Sequence, residues 1–267
     1  MPPTYWRGEP ICAISRSCWD IPISIPPRST RISTVNISRI STAPTIRAVE
    51  GSVAEHISDL LLWLPAIIVG LTLHEGAHAW TADHLGDPTP RRLGRLSLNP
   101  LVHLDALGTV LLVLLHFGWG RPVPVDIRYL SRPRRDLLLI ALAGPLANLL
   151  LALALGLFLR LDLLAPWQAA PTYRTILELL HIAVLLNLIL AIFNLLPVPP
   201  LDGGKILASL LPPTWSKFYQ RRSGWLSWGL LAALALGYFT RFDPLYMLLR
   251  LPSRWLYHLF TGSFALF

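Results

Sequence analysis

The sequence predicts an all-α membrane protein, a polytopic helical bundle of about four full spans plus one short re-entrant or interfacial segment. Three observations carry that expectation. Of the 267 residues, 53% are hydrophobic and only 14% are charged, where soluble domains average about 25% charged. The apolar residues are blocked into stretches, several of which reach the roughly 20 residues that cross a bilayer core, and the mean hydropathy is +0.52. The basic residues behind the net charge of +8 flank those stretches. That placement marks cytoplasmic loops and forms no stripe of the kind nucleic acid needs. The composition therefore implies a lipid bilayer as partner and excludes nucleic acid.

Residues 1–54 read as a poorly ordered basic tail, rich in Ser, Thr, Arg, Pro and Ile and poor in acids. No apolar run there is long enough for a signal-peptide core, although the Arg- and Ser-rich bias is shared by some transit peptides. Cys12 and Cys18 both fall in this tail. They read as unremarkable thiols, with a disulfide or a metal pair as the alternative.

Residues 55–267 read as the membrane-embedded domain. The first span, Ile57 to Trp80, would be ~36 Å long as a helix and ends in HEGAHAW. A polar, Arg-bearing loop follows. The apolar piece Leu107 to Trp119 is too short for a crossing and suits a re-entrant or interfacial segment. GRPVPVDIRYLSRPRRD is basic and Pro-rich, hence extended loop. Further spans run from Leu137 to Leu159, from Ile176 to Leu196 and from Trp225 to Phe239, the last extended by Pro244 to Leu249.

His74-Glu75-Gly76-Ala77-His78 carries the chemistry. Residues at i and i+4 share a helix face, so two imidazoles reach one ion, and zinc favours nitrogen ligands in a tetrahedral site. Glu75 sits about 100° round the helix. From there it can take the proton of a water that zinc acidifies toward a pKa of ~7. An HExxH pattern alone is weak, because it arises by chance in many proteins. Its place in an apolar helix strengthens it: an ionised group at mid-bilayer costs at least ~2.5 kcal/mol on insertion scales, and a metal is its natural partner. The bland alternative is a polar cluster packed against Asn and Asp of neighbouring helices.

A catalytic zinc needs a third protein ligand and an open fourth position. Asp202 is the candidate. Pro197, Pro199 and Pro200 break the preceding helix, and Gly203-Gly204 lets backbone approach closely. Irregular backbone at membrane depth is tolerated only inside protein or against water. The alternative is an ordinary Asp-Gly turn.

HEGAHAW in a first span, GPLAN in a later one and NLLPVPPLDGG after that resemble the site-2 protease family of intramembrane zinc metalloproteases. The resemblance covers about Leu60 to Leu210. GRLSLNPLVHLDALGT and FGWGRPVPV resemble its compact branch. The resemblance implies one zinc ion per chain bound by His74, His78 and Asp202, Glu75 as catalytic base, and a transmembrane protein or peptide as substrate. It also places Asn194 near the active site, steadying substrate or the oxyanion. No stretch suits a PDZ domain or a C-terminal CBS pair.

Other polar residues have plainer readings. Asn148 bonds between helices or touches the active site. His103 and Asp105 cap the segment after Pro100 or form a second ligand pair. His116 and His181 are interfacial or packed, and Asn187 is interhelical glue.

For His78 and Asp202 to share an ion, the spans that carry them must run parallel. Only one of the two apolar segments between them can then cross, which leaves Leu107–Trp119 uncrossed. The loops 81–136 and 197–224 hold eight Arg and four Lys or Arg, against none in 161–173. The positive-inside rule puts the first two, and the active site, on the cytoplasmic side of a multi-pass cell-membrane protein. The competing functions are an intramembrane metal-ion transporter, which should show ligands stepping through several spans, and a catalytically silent membrane scaffold, which the presence of Glu75 opposes.

Overall fold

The computed structural model describes residues 53–115, 118–240 and 243–263, with side chains from residue 62 onward except at 114 and 115. Residues 1–52, with Cys12 and Cys18, lie outside the described residues, as does His116. The described residues are helical apart from loops and one isolated antiparallel bridge between Leu104 and Gly120.

Helix α1 (Val53–His84) carries the HExxH motif in its last third. Gly86 ends it in a left-handed conformation, φ 103°, that few other residues adopt. The Gly86 and Asp87 amides return to the Asp83 and Ala82 carbonyls and satisfy the last turn. Asp87 is fully buried, and its two oxygens accept from the amides of Thr89 and Asp126. It thereby fastens the short α2 (Thr89–Arg92) and the extended 121–126 segment to the end of α1.

Helix α3 (Ala106–Leu115) has ten residues, or ~15 Å, half a bilayer core. Asp105 caps it by accepting from the Gly108 amide at 2.9 Å. The buried His103 bonds to the Ser97 carbonyl at 2.8 Å, and its own carbonyl accepts from the Arg121 amide. Both residues therefore anchor backbone rather than pair as ligands.

Helix α4 (Pro133–Arg160) is the centre of the bundle, touching α1, α5 (Tyr173–Asn194), α6 (Asp202–Leu210) and α9 (Pro244–Thr261). Its buried face repeats every four residues as Asp136, Ile140, Gly144, Asn148, Ala152 and Gly156. Its outward face carries Leu139, Leu146, Leu150 and Leu157, all exposed. Small and polar residues thus point inward and leucines outward, the arrangement of a helix whose surroundings are as apolar as its side chains. Helices α4 and α5, of 28 and 22 residues, are long and apolar enough to cross a membrane.

The directions of the helices follow from the contacts. Ala66 packs on Ile182 and Ala183, and His78 meets Asp202 further along both segments, so α1 and α5 run parallel as expected. Ala82 packs on Ile140 and Ala152 on Val184, so α4 runs against both.

The C-terminal part departs from expectation in one respect. Pro244 does not prolong the Trp225–Phe239 segment. Helix α8 (Ser223–Phe239) stops at an extended Thr240, and α9 starts afresh with Asp243 accepting from the Tyr246 amide at 2.8 Å. Proline at the first helical position cannot continue a preceding helix but begins a new one readily. Tyr257 of α9 is fully buried against Ala152, Val184, Leu185 and Leu188. Helix α7 (Pro213–Arg221) and α8 tie back to the proline loop, where Tyr219 donates to the Pro197 carbonyl and Ser227 to that of Pro199.

Candidate metal centre

Three side chains meet where α1, α4 and α6 converge. His74 Nε2 and His78 Nε2 are 3.1 Å apart, and Asp202 Oδ2 lies 3.1 Å from the first and 3.0 Å from the second. All three residues are buried. The imidazole planes stand 88° apart, and both Nε2 atoms lie against the same Asp202 oxygen. Among the described residues no other trio of His, Cys, Asp and Glu donors converges this way.

The protons decide what this cluster is for. His78 Nδ1 lies 2.7 Å from the Ile140 carbonyl, an acceptor, so in a neutral imidazole Nδ1 carries the proton and Nε2 is a bare lone pair. Asp202 Oδ2 is a carboxylate oxygen and only accepts. A neutral His74 can put at most one proton among the three. With both imidazoles neutral, three donor atoms at 3.0–3.1 Å with so little hydrogen to share repel one another unless a cation lies among them. Zinc fits the set: bonds of ~2.0–2.2 Å at tetrahedral angles hold ligand atoms roughly 3.3 Å apart. The His78–Ile140 bond supplies the backbone carbonyl that commonly orients a metal-bound histidine.

Helix α4 comes so close because residue 144 is glycine. A Cβ there would fall 2.6 Å from His74 Nε2 and closer still to His78. Gly203 and Gly204 do the same for the other side, since a Cβ on Gly204 would lie 2.9 Å from Pro199 N. Asp202 opens α6 and its outer oxygen, Oδ1, accepts from Lys205 Nζ at 2.8 Å.

Glu75 is half-buried beside the trio, and its Oε2 accepts from the Val123 amide at 3.2 Å. The flanking Pro122 and Pro124 have no amide hydrogen. Asn194 stands at the end of α5 with its Nδ2 donating to the Leu190 carbonyl at 2.9 Å. It contributes no hydrogen bond to His74, His78 or Asp202. Asn148 lies one turn beyond Gly144, fully buried, with no partner for either side-chain atom. The interhelical bond expected of it is therefore not made. Asn187 Nδ2 bonds back to the Ala183 carbonyl within α5, while its Oδ1 takes the space that Gly70 leaves on α1.

Sequence reading missed Lys205, Gly144 and Val123. For Lys205 a signal existed, because an Asp and a Lys three apart face each other on a helix. The other two lie in GPLAN and FGWGRPVPV, but nothing local assigns them partners, which both meet only through tertiary packing.

Comparison with known proteins bears on the same residues. Residues 161–237, which include Asn194 and Asp202, match peptidase family M50. The chain is 45% identical to YwhC of Bacillus subtilis over 149 residues, covering 55% of this chain and 68% of that protein. The chain belongs to peptidase family M50. Rip2 of Mycolicibacterium smegmatis is 30% identical over 188 residues, 68% of each chain. Rip2 of Mycobacterium tuberculosis is 34% identical over 152 residues, 55% of this chain and 56% of that one. The names of these relatives give them, provisionally, as zinc metalloproteases. No solved structure matches the chain significantly. The family's stretch begins beyond the HExxH motif, so in this M50 chain it is the fold that brings His74 and His78 to Asp202.

Proposed function

We propose that this M50 chain is a multi-pass intramembrane zinc metalloprotease that hydrolyses peptide bonds in or next to transmembrane helices of membrane proteins. The observation that carries this reading is the buried convergence of His74, His78 and Asp202, which with neutral imidazoles carry too few protons to satisfy one another, beside a carboxylate that is not part of the trio. His74, His78 and Asp202 would hold one zinc ion per chain. Zinc supplies Lewis acidity there, acidifying water and polarising a carbonyl.

The chain's own residues do the rest. Glu75 takes a proton from the attacking water and returns it to the amine as the C–N bond breaks. The Val123 amide keeps one Glu75 oxygen engaged and leaves the other free. Asn194, once turned from the Leu190 carbonyl, donates to the substrate carbonyl as negative charge develops. Burial of the trio excludes bulk water, and the proline loop keeps Asp202 in place through Tyr219 and Ser227.

The Arg-rich loops favour a cytoplasmic position for the centre, an N-terminus on the outer side and an α3 that dips into the membrane or lies at its surface. Residues 1–54 are read as a basic tail outside the protease domain.

The test is Glu75→Gln in purified full-length protein, with a single-span membrane substrate. Zinc should remain near one per chain while cleavage falls by ~10²-fold or more. A His74→Ala/His78→Ala variant should lose both. Normal cleavage by Glu75→Gln, or full zinc in the double variant, would sink the reading.

A further inference from the structure

The two carboxylate oxygens of Asp202 face different partners. Oδ2 lies against the two imidazoles, and Oδ1 accepts from Lys205 Nζ at 2.8 Å. The intervening Gly203 and Gly204 have no side chains, so Lys205 is the first residue of α6 after Asp202 that can reach back. Helix energetics do not explain a lysine there. The N-terminal turn of a helix is already its positive end and disfavours a cation. Nor is the pair an ordinary surface ion pair, which would contribute little, because the carboxylate is only 6% exposed although the lysine side chain is 56% exposed.

We propose, resting on the zinc reading above, that Lys205 is a positioning residue that holds Asp202 to coordination through one oxygen. A carboxylate can bind a cation with one oxygen or both. The Lys205 ammonium occupies Oδ1 and draws charge toward it, so Asp202 supplies a single donor. Two imidazole nitrogens and one oxygen leave open the fourth position that a catalytic zinc needs. A second oxygen from Asp202 would crowd that position as a fifth ligand and hinder the reacting groups. The same hydrogen bond weakens the carboxylate as an electron donor and keeps the bound metal more acidic.

Zinc-edge X-ray absorption of the purified full-length chain, loaded with zinc, tests this in wild type, Lys205→Met and Lys205→Arg. Wild type should show about four light-atom neighbours and Lys205→Met about five. Chelator competition should find zinc as tight or tighter in Lys205→Met, because a cation has been removed from beside a dication. Cleavage should fall ~10-fold or more, and Lys205→Arg should restore the four-neighbour spectrum. A lysine that merely props α6 gives the opposite sign, with zinc lost. Loss of zinc from Lys205→Met, or a four-neighbour spectrum with normal cleavage, overturns the proposal. If that variant does not accumulate, Lys205→Ala carries the same comparison. Asp202→Asn separates the two levels of the argument. Wild-type zinc binding in Asp202→Asn sinks the metal reading itself, whereas an emptied Asp202→Asn beside an unaltered Lys205→Met sinks only the role of Lys205.

Discussion

His181 of α5 and Tyr257 of α9 meet in the same bundle as His74, His78 and Asp202, and both clusters are buried among apolar helices. In the first, His181 Nδ1 and the Tyr257 hydroxyl are 2.5 Å apart, one donor facing one acceptor. In the second, three atoms that share at most one proton while the imidazoles are neutral stand 3.0–3.1 Å apart. The first cluster is complete as it stands and joins two helices. With neutral imidazoles the second is balanced only around a cation. Burial and polarity are common to both, so neither identifies a reactive site. The balance of donors and acceptors does.

The largest effect that sharpens this contrast comes from Asp202. Asp202→Asn removes the only anionic donor of the trio in a site shielded from water, where charge counts most. Zinc and cleavage should both be lost. Asn194→Ala should instead keep zinc and lower cleavage by about 10²-fold, the effect of one lost donor to a developing oxyanion. Equal zinc loss in the two variants would make Asn194 part of the metal site.

Gly144→Ala should act next most strongly. Its Cβ would meet His74 and His78, so α4 must move away or the imidazoles must turn. Overpacking of this kind costs about 1–3 kcal/mol, and zinc affinity should drop by ~10-fold or more. A control, Gly76→Ala, places its Cβ in open space and should change neither property. If Gly144→Ala bound zinc normally, the close approach of α4 would be incidental.

The smallest functional effect should follow change in the completed cluster. Tyr257→Phe leaves His181 Nδ1 without its hydroxyl, a loss of about 1–3 kcal/mol of stability. Cleavage and zinc content of the folded fraction should be unchanged. Tyr257→Phe combined with His181→Leu should recover part of that loss, as a coupled pair requires. Altered zinc content in Tyr257→Phe would show that the two clusters communicate.

The short-range features were legible because they depend on nearby residues alone. HExxH places two imidazoles on one face wherever its helix forms. Asp105 caps because it precedes a helical run, and α3 is too short to span by its length. Even the parallel course of α1 and α5 was within reach, since one ion cannot be shared otherwise. The break between α8 and α9 was misjudged, because both flanks are apolar and the decision lay with Asp243 capping a helix that begins at Pro244. Asn187 and Asn148 were read as bonding across helices. What their side chains meet depends on how closely α1 and α4 approach, which no local pattern states.

By itself the sequence determined the apolar blocks, the two imidazoles and the carboxylate between them, and a proline-broken turn ending in Asp202. Only the tertiary structure decided that Asp202 lies 3.0 Å from a histidine 124 residues earlier, that Gly144 makes room for both, that the Val123 amide holds Glu75 and that Lys205 takes the outer oxygen of Asp202. The physical reason is one of range. Backbone geometry fixes which side chains share a face within a turn or two of helix. The meeting of groups from three helices is set by packing, where one absent Cβ decides whether the ligands can share a centre.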